Sequence, residues 1–315
     1  METTLAIARA VNMGATLLAF GQLAFVQFVS PGRVLPPRFL AVMAWSLAAT
    51  LASALAWLAL EALNMSGLPF PDALAPAIVG TVLAQTLFGK LWMARAACLA
   101  VLAVSVVFMR HRGASRLALV SAALLLLGLA GMGHAAAGRG SEVVARLGAD
   151  CLHLIAAGAW LGSLPPLIVV IGKAMRQSDA SAYDAARGAT QRFAALGVAS
   201  VGALLLTGIA GSFFALHDLA ALYESDYGKL LLAKVALFVV MLALAAVNRF
   251  VLTPRLDAQH VRPSLVALRR NALAELLLGL GVVCIVAKLG ITMPDNAPEH
   301  HHHHHESAAV PAPQV

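Results

Sequence analysis

Two histidines carry the first chemistry this sequence suggests. His134 lies in the run GMGHAAA and His153 in the run DCLHLIAAGAWLG, each near one end of a long apolar stretch. Neutral imidazole is the commonest protein metal ligand, and an ionisable group inside a membrane span costs at least a few kcal/mol, so such residues mark function. One histidine at a helix end is ordinarily satisfied by a carbonyl; two at matching depth on successive helices point to a shared ion. Helical periodicity of about 100° per residue puts Asp150 and His153 on one face, with Trp160 two turns deeper. Cys151 lies about 200° from His153 and is not on that face; Met132 stands in the same relation to His134. Asp150 is therefore read as a partner that orients His153 and raises its basicity. Further ligands must come from other helices, and the candidates are Met13 (beside Asn12), His217 and Met293. Thioether and imidazole together favour Cu(I) over hard cations.

The elements that must hold these residues are membrane spans. The 315 residues are 60% hydrophobic and 12% charged, with a mean hydropathy of +0.83, whereas soluble domains are about 25% charged. Each crossing helix needs roughly 20 apolar residues. Apolar runs predict eight, at 5–29, 39–62, 90–109, 116–137, 149–171, 193–216, 229–252 and 267–290. The expected fold is all-α: a polytopic eight-transmembrane-helix bundle with a short interfacial helix, 73–88, before the third span. The polar strip 177–192 between the fifth and sixth spans is expected to form a short amphipathic surface helix. Residues 1–295 are expected to be a single transmembrane domain, followed by a tail, 296–315, whose six consecutive histidines (His300 to His305) are either a purification tag or a native metal-gathering segment. The N-terminus reads as a retained first span, since no A-x-A cleavage site follows it. Three cysteines in separate apolar runs (Cys98, Cys151, Cys284) make no disulfide framework.

Orientation follows from Lys and Arg in the loops. The loops 1–2, 3–4, 5–6 and 7–8 hold fourteen of the 22 basic residues, which predicts that they are cytoplasmic and that both termini are periplasmic. The net charge of +7 therefore reflects loop anchoring and not nucleic-acid binding, because the basic residues follow the loops instead of forming a patch. His134 and His153 then lie one or two turns below the outer surface. The acids Asp72, Asp150, Asp218, Glu224 and Asp226 on that side make the entrance attractive to cations. Glycines and alanines around both histidines let helices approach closely and also leave room for a planar macrocycle. At the inner side, Glu275 is the deepest acid and is expected to pair with Arg249 or Arg270. Met241 is the one candidate stepping stone between the two ends.

The blocks GHA, LHLIAAGAWLGSLPPL, RFAALGVASVGALLLTGIAGS, YGKLLLAKVALFVVMLALAAVNRFVLTPRL, ALRRNALAELLLGLG and LGITMP resemble the copper-resistance D family (CopD/PcoD) of bacterial inner-membrane proteins, over about residues 80–295. The resemblance implies a multi-pass inner-membrane protein that moves copper towards the cytoplasm alongside a periplasmic partner of the CopC type. It carries the metal role to His134 and His153 and places Met293 in the closing block. Family members often have a histidine in the first helix where this chain has Val11-Asn12-Met13. The wider superfamily includes haem-dependent oxidoreductases of the HemJ type. The alternative to transport is thus a redox enzyme with His134 and His153 as axial ligands to haem b; a third reading is copper docking without translocation.

Overall fold

Eight helices long and apolar enough to cross a membrane make up the chain in a computed structural model, which describes residues 1–30, 34–36, 38–132, 141–215, 221–256 and 261–292. The expected all-α bundle is present, and no strand occurs among the described residues. Helix α1 (Glu2–Ala24) runs on into a π turn, Phe25–Val29. Helix α2 (Phe39–Ser66) stops where Gly67 takes a left-handed conformation, φ 65°, the usual glycine termination. The short helix α3 (Pro76–Gln85) begins on a proline, whose missing N–H costs nothing at that position. Thr86 both ends α3 and caps α4 (Leu87–Val107), its Oγ1 accepting from the Gly89 N–H at 2.9 Å. Helix α5 (Arg112–Leu127) is extended by one 3-10 turn, Ala130–Met132.

The fifth span is two helices, α6 (Ser141–Leu161) and α7 (Leu164–Gln177), broken at Gly162-Ser163 before the paired prolines 165 and 166. Helix α8 (Ala180–Ala215) is capped by Asp179, whose Oδ1 accepts from the Ala182 N–H at 2.8 Å. That bond, with a second from the Ser181 hydroxyl, holds the Asp179 carboxyl below the usual carboxylate range. The polar strip 177–192 is therefore no separate surface helix. With a cap at 179 and no breaker after it, it forms the first turns of the 36-residue α8, about 54 Å long against a hydrocarbon core of roughly 30 Å. The short α9 (Ala221–Glu224) precedes α10 (Asp226–Val247), which continues as a second π turn, Asn248–Leu252, and α11 (Val261–Leu289) closes the bundle.

The ends of α1 and α11 meet: Lys288 Nζ lies 3.9 Å from Glu2 Oε2, and Arg9 Nη1 donates to the Gly290 carbonyl at 2.8 Å. Two apolar cores form, one among α1, α2, α4 and α5 and the other among α7, α8, α10 and α11, with α6 contributing to both. The α6–α7 span is the most buried of the eight. Its crossing with α1 is glycine on glycine: a Cβ added at Gly21 would fall on the Gly162 backbone, and one added at Gly162 on the Leu17 carbonyl. Ser163 Oγ donates to the Gly21 carbonyl at 2.9 Å across the same contact. Because backbone meets backbone, no side chain can swing aside. Gly162→Ala is expected to cost about 3 kcal/mol, the upper range for overpacking, read as a lower unfolding temperature in detergent, whereas Gly80→Ala, which meets open space, leaves that temperature unchanged.

Candidate functional site

His153 stands on α6, the element shared by both cores, and it is oriented by one contact. Its Nδ1 lies 2.8 Å from Thr207 Oγ1 on α8. Thr207 has a single hydroxyl hydrogen, and its Oγ1 donates to the Ala203 carbonyl at 2.7 Å. The Thr207 oxygen therefore accepts, so Nδ1 carries the proton and Nε2 keeps its lone pair. Fixing one ring nitrogen as a donor to present the other to an ion is how metal-binding histidines are oriented. The orienting group is thus a threonine on a neighbouring helix, and Nδ1 is not bonded to Asp150. Helix α6 also starts eight residues before the expected 149, at Ser141. His153 is consequently about 18 Å along it, more than three turns from its first residue.

Lys234 of α10 is within electrostatic range of both Asp150 and His153. A cation beside a metal site works against it, and Asp150 offsets that charge. The aspartate thus acts on the field at His153 through Lys234. Lys234 was hidden in the sequence because it sits in an apolar run at no recognisable spacing from the histidines. Among the described residues no three His, Cys, Asp or Glu side chains converge on a metal position. His134, His217 and Met293 lie outside the described residues, so His153 is the one strong ligand candidate placed. Thr207→Val, which keeps the shape and removes the acceptor, is expected to weaken copper affinity about 10- to 100-fold, measured by competition with a chelator; Thr207→Ser should retain it.

Met13 packs against the first core, while Asn12 is wholly committed. Its Nδ2 donates to the Thr50 carbonyl (3.0 Å) and Ser53 Oγ (3.1 Å), and its Oδ1 accepts from Arg95 Nη2 at 2.7 Å. Arg95, within the third span, is 4% exposed. Its Nε donates to the Leu125 carbonyl at 3.0 Å and its Nη1 to Met132 Sδ at 3.6 Å. Gly128 makes room for it: a Cβ there would lie 2.6 Å from Arg95 Cγ. The guanidinium is held entirely by neutral acceptors, and it fixes the end of α5 from which the GHA motif continues. The only sequence signal is one arginine inside LWMARAACLAVL, with no spacing to interpret.

At the other end of the bundle, Glu275 is 1% exposed. Trp160 Nε1 donates to its Oε2 at 3.2 Å and Asn248 Nδ2 to its Oε1 at 2.6 Å, while Asn271 Nδ2 donates to Asn248 Oδ1 at 2.9 Å. The expected ion pair does not form. Arg249 lies over the Phe250 ring, 5.8 Å from its centroid, because the π turn that begins at Asn248 aims the asparagine inward and leaves Arg249 outside. Trp160 lies on the His153 face of α6, as the periodicity predicts, and links that face to Glu275. A cavity of about 160 Å³ lies against Trp160 and Glu275, and His153 is not among its walls.

Comparison with known proteins agrees with this architecture. The N-terminal domain of copper resistance protein D-like proteins matches residues 1–144, and copper resistance protein D matches residues 187–289; His153 falls between the two. The chain is 31% identical over 218 residues to copper resistance protein D of Pseudomonas syringae pv. tomato, covering 67% of this chain and 70% of that protein. It is 30% identical over 302 residues to the copper transport protein CutJ of Bacillus subtilis (strain 168), covering 92% of this chain and 53% of the relative. It is also 28% identical over 298 residues to the inner membrane protein YebZ of Escherichia coli (strain K12), covering 91% and 97%. The chain thus spans about half the length of CutJ. No solved structure matches it.

Proposed function

This chain belongs to the copper resistance protein D family, and from that premise we propose that it captures copper near the periplasmic face of the inner membrane and passes it towards the cytoplasm. The observation that carries this reading is the 2.8 Å contact of His153 Nδ1 with Thr207 Oγ1, which leaves Nε2 as the ring nitrogen to face an ion. His134, which precedes α6 in the sequence, supplies the second imidazole, and Met293, Met13 and His217 are the candidates to complete a soft site for Cu(I). Acids that the loop charges assign to the same side of the membrane, Asp72, Glu224 and Asp226 among them, would raise the local concentration of cations. A CopC-like periplasmic protein is the partner that would deliver the ion there.

The charges buried in the two cores support a route through one half. The α1, α2, α4 and α5 core contains the Arg95 guanidinium with neutral partners, a barrier to any cation in a low-dielectric interior. The other core contains the Glu275 carboxyl, also with neutral partners. A copper ion leaving His153 is drawn along the α6 face past Trp160 towards Glu275, with Met241, buried in that same core, as a soft intermediate contact. The test is Cu(I) uptake into proteoliposomes loaded with a chelator, using protein that lacks His300 to His305. Uptake that requires His153 and His134 supports transport. Copper binding with no uptake in the unaltered protein would leave docking in its place.

A further inference from the structure

The cavity between α7, α8, α10 and α11 has walls and a floor of very different chemistry. Its walls are largely apolar, including Leu164, Phe193, Val201 and Ala245, with Thr190, Thr253 and the exposed Arg249 also on its lining, and its floor is the Glu275 carboxyl with Asn248 and Trp160. Its mouth is on the lipid-facing surface, where Val198 is 53% and Phe250 72% exposed, within the spans of α8 and α10. An apolar cavity of about 150 Å³ stays dry and holds one benzene-sized ring, and this one measures about 160 Å³. Water is therefore a poor occupant, and a ring that enters from the bilayer is a good one.

The floor selects what the ring must carry. Both oxygens of Glu275 accept in the structure, one from Asn248 Nδ2 and one from Trp160 Nε1, and each carboxyl oxygen has a second lone pair. Asn248 has its carbonyl oxygen occupied by Asn271. Glu275 thus keeps acceptor capacity in either protonation state, which a ligand hydroxyl can match and an ether oxygen cannot. The π turn Asn248–Leu252 is what aims Asn248 at the carboxylate, and such insertions are frequent at functional sites.

We propose that this cavity binds a phenol-headed lipophile, a hydroquinone included: the ring lies among Phe193, Leu164 and Trp160, its hydroxyl donates to Glu275, and its apolar tail leaves between α8 and α10 into the bilayer. This inference stands independently of copper transport.

The probe is 2-bromo-4-octylphenol, compared with its methyl ether, titrated into the full chain in lipid nanodiscs. Bromine quenches tryptophan on contact, and Trp160 lines the cavity, so the signal read is the quenching present in the unaltered protein and missing from Trp160→Phe. A saturable signal is expected, with half-saturation at least tenfold lower for the phenol than for the ether. Glu275→Gln should reduce that preference. Gly197→Leu, placed where an added Cβ meets nothing within 4 Å, fills the cavity without touching Glu275 and should abolish the signal. Equal half-saturation for phenol and ether, indicating that any acyl chain fills the cavity, overturns the proposal, as does non-saturable quenching or quenching undiminished in Gly197→Leu.

Discussion

Replacing His153 with alanine is expected to lower Cu(I) affinity by at least about 100-fold in protein that lacks the six tail histidines. The bound applies because even the partner of a ligating histidine is worth 10- to 100-fold in metal affinity, and the ligand itself must exceed that. His153 contacts Thr207 through Nδ1, which leaves Nε2 to face an ion, and Cys151 lies about 200° away on the same helix. His134→Ala should fall into the same range, since one imidazole and one thioether are a poor substitute for two imidazoles. Fold stability should change little in His153→Ala, because the Thr207 oxygen still has Ala203 as a partner. A chelator competition titration with an unfolding curve on the same sample separates the two effects. An affinity within threefold of the unaltered protein would remove His153 from the site.

Arg95→Met is expected to damage the fold without touching the proposed copper ligands. Methionine fills much of the same volume, so the effect isolates the guanidinium. Its removal leaves Asn12 Oδ1 and the Leu125 carbonyl unpaired. At about 1–3 kcal/mol for each orphaned buried acceptor, relief from burying a charge offsets part, and the net cost is about 2 kcal/mol. Arg95→Lys should cost a similar amount, because one ammonium cannot span acceptors on α1 and α5 that a planar fork reaches together. Since Arg95 also contacts Met132, just before the GHA motif, both variants should weaken copper affinity more than their stability loss explains. An unchanged unfolding temperature in Arg95→Met would show the network to be dispensable.

Much of this architecture was legible in the sequence, for a simple reason. A bilayer demands about 20 apolar residues per helix and tolerates little else, so eight spans could be counted, and the short helix Pro76–Gln85 announced itself by its prolines. The shared face of His153 and Trp160 followed from helical periodicity alone. What composition could not convey was which polar residue meets which. Asp150 looked like the partner of His153 because the two are close along one helix, but the Nδ1 contact comes from Thr207, 54 residues later. Arg249 looked like the partner of Glu275 because opposite charges attract. The π turn at Asn248, which no local sequence rule specifies, reversed which of the two residues faces inward. Arg95 and Lys234 were passed over because a single basic residue in an apolar run has no spacing to interpret. Its meaning lies on other helices.

The most direct test of the central claim is copper X-ray absorption on Cu(I)-loaded protein from which His300 to His305 have been removed. The account predicts a two- or three-coordinate Cu(I) spectrum with the multiple-scattering pattern of imidazole, diminished in His153→Ala and in His134→Ala. A spectrum without imidazole, or one identical in His153→Ala, would contradict it and move the copper site to another part of the chain.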